Sequence, residues 1–519
     1  MNLSKKSKKL TPIFLFVLLV VSGRLWAQSE THNGIIFPHP FAFAIDDIGW
    51  NNGHNDGAAG EGPYRIGLKR HMELSDYKCM VDVAKKVGVR LQGIFILGEM
   101  DRENVLATVP STNQFGAKWD NSANVNDEQV RIMNFVRDNA AWLEFGLHGV
   151  GHEFWPDGAG KRKRAEWYCT HEDHPWPESE IEAHIDVFKK IMAQYGLDKE
   201  HGHSFPESFV PCAYGYYWNP DGAYSTGSKL RPEGVKYVNT LFTYIEELNP
   251  PQGENAGGID HGQLVVNRIN YGNPWYELAS LPTVPIDEQK SDIIETHWTN
   301  WLVQDDFLQE NLNQRWVDYF ANVAKTENRY IAKNTEQFYA QWLYNKYATV
   351  TESIPGKVTI DNTQMPEEVY ESDLLSNLIL KVKLKEGQHV SSIRLNDRDL
   401  MVYYEEGGYG MIVLPQLERE IYQLEYKISD KEMPTYISSS GTYNIYRFST
   451  KRNKTRLKLR MYGTQEIVIH GIAKPRKIKS DNLALRVIKH SYDQDTHTLH
   501  LLIQAHDIQG ETGVLNIGK

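Results

Sequence analysis

The sequence predicts an α/β protein, a β/α barrel of parallel strands followed by C-terminal β-sandwich domains. Three observations predict it. From residue 34 to 345 short apolar runs alternate with helical segments, the pattern of βα units on a parallel sheet. Two of these runs, about a hundred residues apart, end in clustered Asp and His, a spacing suited to two strand ends of one barrel. Beyond Pro355 the helical segments give way to short β-type runs separated by turn residues.

The elements follow in chain order. Residues 1–27 have the form of a secretory signal peptide. Lys5, Lys6, Lys8 and Lys9 precede an apolar run from Ile13 to Val21, and Leu25-Trp26-Ala27 stands before Gln28. The run is short for a membrane span, and no Cys follows the expected cleavage point to carry a lipid anchor. The expectation is an exported protein, periplasmic or extracellular, without stable membrane insertion.

The barrel is expected over residues 28–345. Its strands are Phe41–Ile45, Leu91–Leu97, Leu143–Leu147, Ser208–Pro211, Leu241–Ile245, Val265–Asn267 and Ile293–His297. Its helices include Ser75–Lys86, Asp127–Asn139 and Ser179–Tyr195, the last opening on Ser179 and Glu182 at capping-box spacing. Long loops rich in Gly, Pro, Asn and Asp connect them, and such loops at one barrel face build substrate sites. Two further β-rich units are expected at 346–430 and 431–519, the second a separate domain or a continuation of the first.

Charge and aromatic content divide the chain at the same place. The net charge is −11. Residues 351–519 hold 23 Lys and Arg against 22 Asp and Glu, whereas the preceding 350 hold 33 against 45. An acidic front part is a poor nucleic-acid binder, since phosphate affinity needs clustered positive charge. All 13 Trp lie before residue 351, so a glycan, which packs on aromatic faces, belongs with the barrel. Cys79, Cys169 and Cys212 can form at most one disulfide, and no Cys-x-x-Cys pair supports a zinc ribbon.

The chemistry concentrates at two strand ends. Phe43-Ala-Ile-Asp46-Asp47 closes one apolar run; Leu147-His148-Gly-Val-Gly-His152 closes another. Two imidazoles and one carboxylate make an open metal site, with positions left for water and substrate. A second carboxylate beside the first can act as a base. Gly149 and Gly151 favour a tight turn over a regular helix between the two His.

This pairing resembles the polysaccharide deacetylase (NodB-homology) family, over roughly residues 38–300. The resemblance implies a distorted (β/α)7 barrel and a metal-dependent hydrolase that removes N- or O-acetyl groups from an acetylated glycan. It implies Asp46 as catalytic base and Asp47, His148 and His152 as ligands of a divalent metal, Zn²⁺ in the first place. Ile294-Glu-Thr-His297 resembles the family's late Leu-x-x-His motif, which implies His297 as general acid. One motif departs. Where the family has Arg-x-Pro, with the Arg orienting the base, this chain has Ser208-Phe-Val-Pro211. Arg268 or Arg90 could take that role in space. Tyr214, Trp298 and Arg268 are the candidate substrate contacts. The alternatives are a glycan-binding protein that has lost catalysis, or a glycoside hydrolase on a related barrel, which needs a second carboxylate opposite the acid.

Three other groups have bland readings that outweigh the sharp ones. Cys169, His171 and His174 could bind a second metal, but a polar exposed loop explains them better. Glu99 is a loop acid before it is a substrate contact. Residues 447–479 hold 11 Lys and Arg and one acid, Glu466. Within them Lys454, Arg456, Lys458 and Arg460 alternate onto one strand face, where edge protection is a simpler role than an anionic-glycan patch.

Overall fold

The computed structural model describes residues 34–52, 68–156, 162–242, 257–451 and 454–518. The leader expected at 1–27, and most of the expected strand Leu241–Ile245, lie outside them. The fold is mixed α/β, a curled and largely parallel sheet with helices, followed by three β-sheets.

The curled sheet runs through β1 (His39–Ile48), β2 (Leu91–Ile96), β3 (Leu143–Gly149), β4 (Ser208–Phe209), β5 (Tyr237–Thr240) and β6 (Gln263–Asn267), each parallel to the next. The other edge of β1 takes two partners. β7 (Ile293–His297) pairs with its second half and β8 (Arg329–Ile331) with its first. Beyond β6, Ile269 forms a parallel bridge to Ile294, so the sheet curls back towards β7. β2 and β3 are buried at every residue, Gln92, Glu144 and His148 included, so neither shows the alternation of a half-exposed strand.

Helices cover the outside of the sheet. α1 (Leu74–Val87) opens on a Glu73/Asp76 capping box and stops at Gly88, whose φ of 66° is the left-handed conformation glycine adopts freely. α2 (Asp127–Asp138) opens on an Asn126/Gln129 box. α3 (Glu178–Ala193) corrects the expectation of a Ser179/Glu182 box. Pro177 is its N-cap, no side chain caps it, and Ser179 lies inside the first turn. α4 (Gln309–Lys325) and α5 (Thr335–Tyr347) are two further long helices. The first ten residues of α5 are buried all round, which removes the one-sided stripe that reveals a helix in a sequence.

Just before the strand expected at Leu241–Ile245 runs β5. There Asn239 is fully buried and donates to Gln92 Oε1 at 3.0 Å, so a satisfied polar residue interrupts the apolar signal.

In the C-terminal half an eight-stranded sheet combines Ile35–Ile36 with strands from Leu378–Lys383 to Thr498–Ala505. It draws strands from both sides of residue 430, through the parallel pair Val402–Ile437. A five-stranded and a four-stranded sheet pack with it, and one apolar core joins all three to α5. Lys454–Met461 is an interior strand of the four-stranded sheet, flanked by Asn444–Lys451 and Glu511–Gly518. The edge-guarding role expected for its cations is therefore excluded. Lys454, Arg456 and Lys458 are exposed, but Arg460 is buried.

Candidate functional site

The C-terminal ends of β1, β3 and β7 converge on one cleft of about 380 Å³, lined by residues that include Asp46, Asp47, His148, His152, Tyr214, Arg268 and His297. Adjacent residues of a regular strand point to opposite faces. Here the register of β1 against β2 slips between Ile45 and Ile48, and Asp47 has φ 66°. This left-handed residue turns the second carboxylate to the side of the first, so both reach the cleft.

Asp46 is held by Arg268. The guanidinium donates to both carboxylate oxygens, at 2.9 and 2.7 Å, and both side chains are buried. Burial alone would raise the Asp46 carboxyl. Arg268, with His148 and His297 nearby, outweighs it and holds the group below its ordinary value, ionised. Of the two arginines considered for holding this carboxylate, Arg268 does so. Arg90 does not; it pairs with Glu144 at 2.8 Å, beside the start of β2.

Asp47 Oδ1 faces His148 Nε2 at 3.3 Å and His152 Nε2 at 3.9 Å. That oxygen is buried without a hydrogen bond. Burial would raise the Asp47 carboxyl too, but His148, followed by His152 and His297, holds it well below its ordinary value. His148 Nδ1–H donates to the Val210 carbonyl at 2.6 Å, which leaves Nε2 for the cleft. For His148 the cost of burial is exceeded by Asp47 and Asp46, and its pKa is raised. His152 goes the other way: burial pulls it down to about 3 and keeps the imidazole neutral.

The turn carrying His152 is built around Glu166, which the sequence did not single out. Its buried carboxylate accepts the backbone N–H of Val150 at 2.9 Å and those of Gly151 and His152 at 3.1 Å. His184 Nδ1 holds the same carboxylate at 2.9 Å. A Cβ on Gly149 would lie 2.1 Å from Glu166 Oε2, so only glycine fits beneath the anchor. Ser111 lies 3.0 Å from His184 Nε2, giving a Ser–His–Glu chain, but all three are buried and Ser111 donates to Glu180. This chain braces the turn.

His297 ends β7 with Nε2 about equally far from Asp46 (4.0 Å), Asp47 (3.9 Å) and Glu295 (3.9 Å). Glu295 also accepts the Tyr214 hydroxyl at 2.7 Å and lies 3.7 Å from Arg268 Nε. The Tyr214 ring stands 5.4 Å from the Arg268 guanidinium, and burial first, then Glu295, raises its phenol. Trp298 does not reach the cleft. It is fully buried, packs on Tyr77 and donates to the Asp76 carbonyl. Trp275 joins Tyr214 in the cleft wall, accompanied by Glu153, Arg162 and Arg164.

The donor set suits a divalent metal. Asp47 presents a buried carboxylate oxygen without a hydrogen bond, faced by Nε2 of His148 and of His152, the ligand types of an open zinc site. Here the group whose donor atoms all lie within 4.8 Å of one another is His148, His152 and Cys212. Cys212, however, donates to the His148 carbonyl at 3.3 Å, and burial pushes its thiol well up, so Asp47 is the better third ligand.

Donor atoms of Cys169, Glu172 and His174 likewise lie within 4.8 Å of one another. There Glu172 faces His174 with Oε2 at 3.3 Å, while its Oε1 is engaged by Lys163 at 2.6 Å. Glu99 holds backbone: it accepts the N–H groups of Asn51 and Asn52 at 2.8 and 2.9 Å.

No family model matches this chain. No curated protein matches it either. Among solved structures, crystal structures of wild-type BuGH86 and of a variant, each in complex with neoagarooctaose, align over 94% of this chain and 95% of theirs. The identity is 10% and the TM-scores are 0.18 and 0.19, too low to carry an argument. Among the described residues no helix is long and apolar enough to cross a membrane.

Proposed function

We propose that this chain is an exported, metal-dependent deacetylase acting on an acetylated glycan, and that its curled sheet is a distorted (β/α)7 barrel. One observation carries the reading: Arg268-bound Asp46, the Asp47–His148–His152 donor set and His297 meet in a single cleft. Asp47, His148 and His152 would hold the metal, with Zn²⁺ the first choice. Bound there, it supplies Lewis acidity towards an acetyl carbonyl and a lowered pKa for water.

The chain's own residues do the rest. Asp46, kept ionised by Arg268, accepts a proton from the attacking water. Arg268 fixes the carboxylate in the plane of its fork, so the proton acceptor does not rotate. His297, at the end of β7, hands a proton to the departing amine or alkoxide. Tyr214 is held by Glu295 at the cleft wall, where it contacts substrate.

The test is acetate release from a panel of acetylated glycans, with and without chelator and added Zn²⁺. Metal-dependent release that disappears in Asp46→Asn, with metal content unchanged, supports the deacetylase. A His148→Ala variant should lose the metal. Glu153 and Glu295 place two more carboxylates at the cleft, so a glycoside hydrolase is the second reading. New reducing ends without acetate would select it.

A further inference from the structure

We infer that the open face of the four-stranded C-terminal sheet binds an anionic polysaccharide, and that Arg447, Arg456, Lys458, Lys477 and Lys479 form the binding surface. The inference does not depend on the reaction proposed for the cleft.

Residues paired directly across neighbouring strands project to the same face of a sheet, as do alternate residues along one strand. The register pairs Arg447 with Lys458, and Asn516 with both Arg456 and Lys479. Lys458 stands two residues from Arg456, and Lys477 two from Lys479, so all five cations share one face. All five are exposed. Ser449 and Asn516, both paired with Arg456, lie between them, and among the described residues of these strands no acid does.

The same face shows what partners such cations take. One end of it is covered by the curled-sheet half. There Arg460, two residues from Lys458, is buried and paired with Glu207 at 2.7 Å and Glu336 at 3.0 Å. Where the cover ends, the acids end with it. Among the described residues none of the five exposed cations makes an ion pair, and Lys458 lies 5.7 Å over the Tyr446 ring. Asp481, just past Lys477–Ser480, turns a carboxylate oxygen to the Val514 N–H at 2.6 Å. Arg447 and Lys458 stand directly opposite each other, a like-charge pair that destabilises the sheet. Because Lys454–Met461 is an interior strand, edge protection does not account for this cost. A bound polyanion relieves it.

Cations spread over three strands suit a chain of repeated negative groups better than one small anion. Tyr446 is held by Glu336 at 2.7 Å, so its ring is not free to stack on a nucleic-acid base. Ser449 and Asn516 suit sugar hydroxyls and offer nothing apolar to enter a lipid surface. Arg447 and Lys458 also line a cleft of about 600 Å³, a volume in the range of ligand sites. Its acids Glu207, Glu336 and Asp373 are paired with Arg460 and Lys236, while Glu418 stands exposed at its wall. Glu207 precedes β4, so Arg460 meets the curled sheet at the rim opposite the strand ends that form the metal-donor cleft. The surface thus holds a polymer without filling that cleft.

The experiment titrates the purified protein into fluorescein-labelled dextran, carboxymethyl-dextran and dextran sulfate of one length, read by anisotropy. Labelled duplex DNA and phosphatidylserine vesicles are titrated in the same buffer. Expected is binding to a charged dextran that weakens as salt rises, with a Kd at least about tenfold below that for dextran itself. The charged dextran that binds tighter names the anion, carboxylate or sulfate. Arg456→Gln/Lys458→Gln/Lys479→Gln should raise that Kd about tenfold. Removing three exposed cations elsewhere, in Lys78→Gln/Lys118→Gln/Lys427→Gln, should leave it near the wild-type value. The face variant should resist urea at low salt at least as well as the wild type, since repulsion is relieved, which separates lost binding from lost fold. No preference for a charged dextran, or equal weakening in both triple variants, overturns the inference. So does tighter binding to DNA or to the vesicles than to either charged dextran.

Discussion

At the level of single residues, the pair Asp46–Arg268 shows how a buried base stays charged. A carboxylate out of water is costly unless paired, and Arg268 supplies two charge-assisted hydrogen bonds to it. Removing the guanidinium leaves the charge buried and uncompensated. Arg268→Met should lower unfolding stability by about 3–5 kcal/mol in urea titrations. Arg268→Lys keeps the charge and loses the fork; with the base misaligned, kcat/KM should fall about 100-fold while the fold survives. Unchanged turnover in the Lys variant would show that carboxylate orientation is irrelevant to the reaction. The Arg–base pairing had a trace in the sequence, an Arg directly after the β6 segment. Its partner across 222 residues did not, because nothing local distinguishes Arg268 from Arg90.

At the level of elements, the turn after β3 depends on one acid and one glycine. Glu166 gathers three backbone N–H groups that the turn would otherwise bury unpaired. Gly149→Ala drives a methyl into that carboxylate, so stability should fall by about 1–3 kcal/mol. Metal affinity, read by competition with a chromogenic chelator, should drop by about 10–100-fold, as when a ligand's support is lost. Wild-type affinity in this variant would separate Glu166 from the placement of His152. The two glycines announced the turn in advance; the acid that shapes it sits 14 residues beyond His152, between Ala165 and Trp167. β2 and β3 were legible because each is a largely apolar run bounded by turn residues. β5 and α5 were not, since a satisfied buried Asn and an all-round buried helix both erase the pattern that periodicity detects.

At the level of the whole molecule, the curled-sheet half and the C-terminal sheets are joined by buried polar contacts. Arg460 reaches back to Glu207 at 2.7 Å and Glu336 at 3.0 Å, and Asn334 donates to the Thr442 carbonyl at 2.8 Å. Arg460→Met strands those two acids, and urea denaturation should show a loss of about 3–5 kcal/mol with kcat of the folded fraction retained. Lys381 is a second strut. Its Nζ donates to the carbonyls of Thr326 and Arg329 at 2.9 and 2.6 Å, and burial pulls its pKa from 10.5 to about 8. Below pH 8 both folded and unfolded chains keep this proton, so its effect on stability is constant. Between pH 8 and 10.5 the folded chain releases it first, the unfolded chain binds more protons, and stability rises with pH. The stability of the wild type relative to Lys381→Met should therefore increase from pH 8 to 10; a flat or falling difference would contradict the burial of a strained ammonium.

The sequence by itself determined the α/β-then-β order, the strand-end Asp46-Asp47 and His148–His152 segments, and His297 at the close of β7. These are local signals, carried by periodicity and by residues within a few positions of one another. Tertiary structure alone decided that Arg268, and not Arg90, holds Asp46, that Glu166 anchors the His152 turn, and that Trp275 lines the cleft while Trp298 belongs to the core. It also decided that Arg460 belongs to a buried junction. The physical reason is common to all four. Each depends on which side chain fills a given point in space, and that is set by the curl of the sheet and the packing of distant segments, which no short stretch of chain encodes.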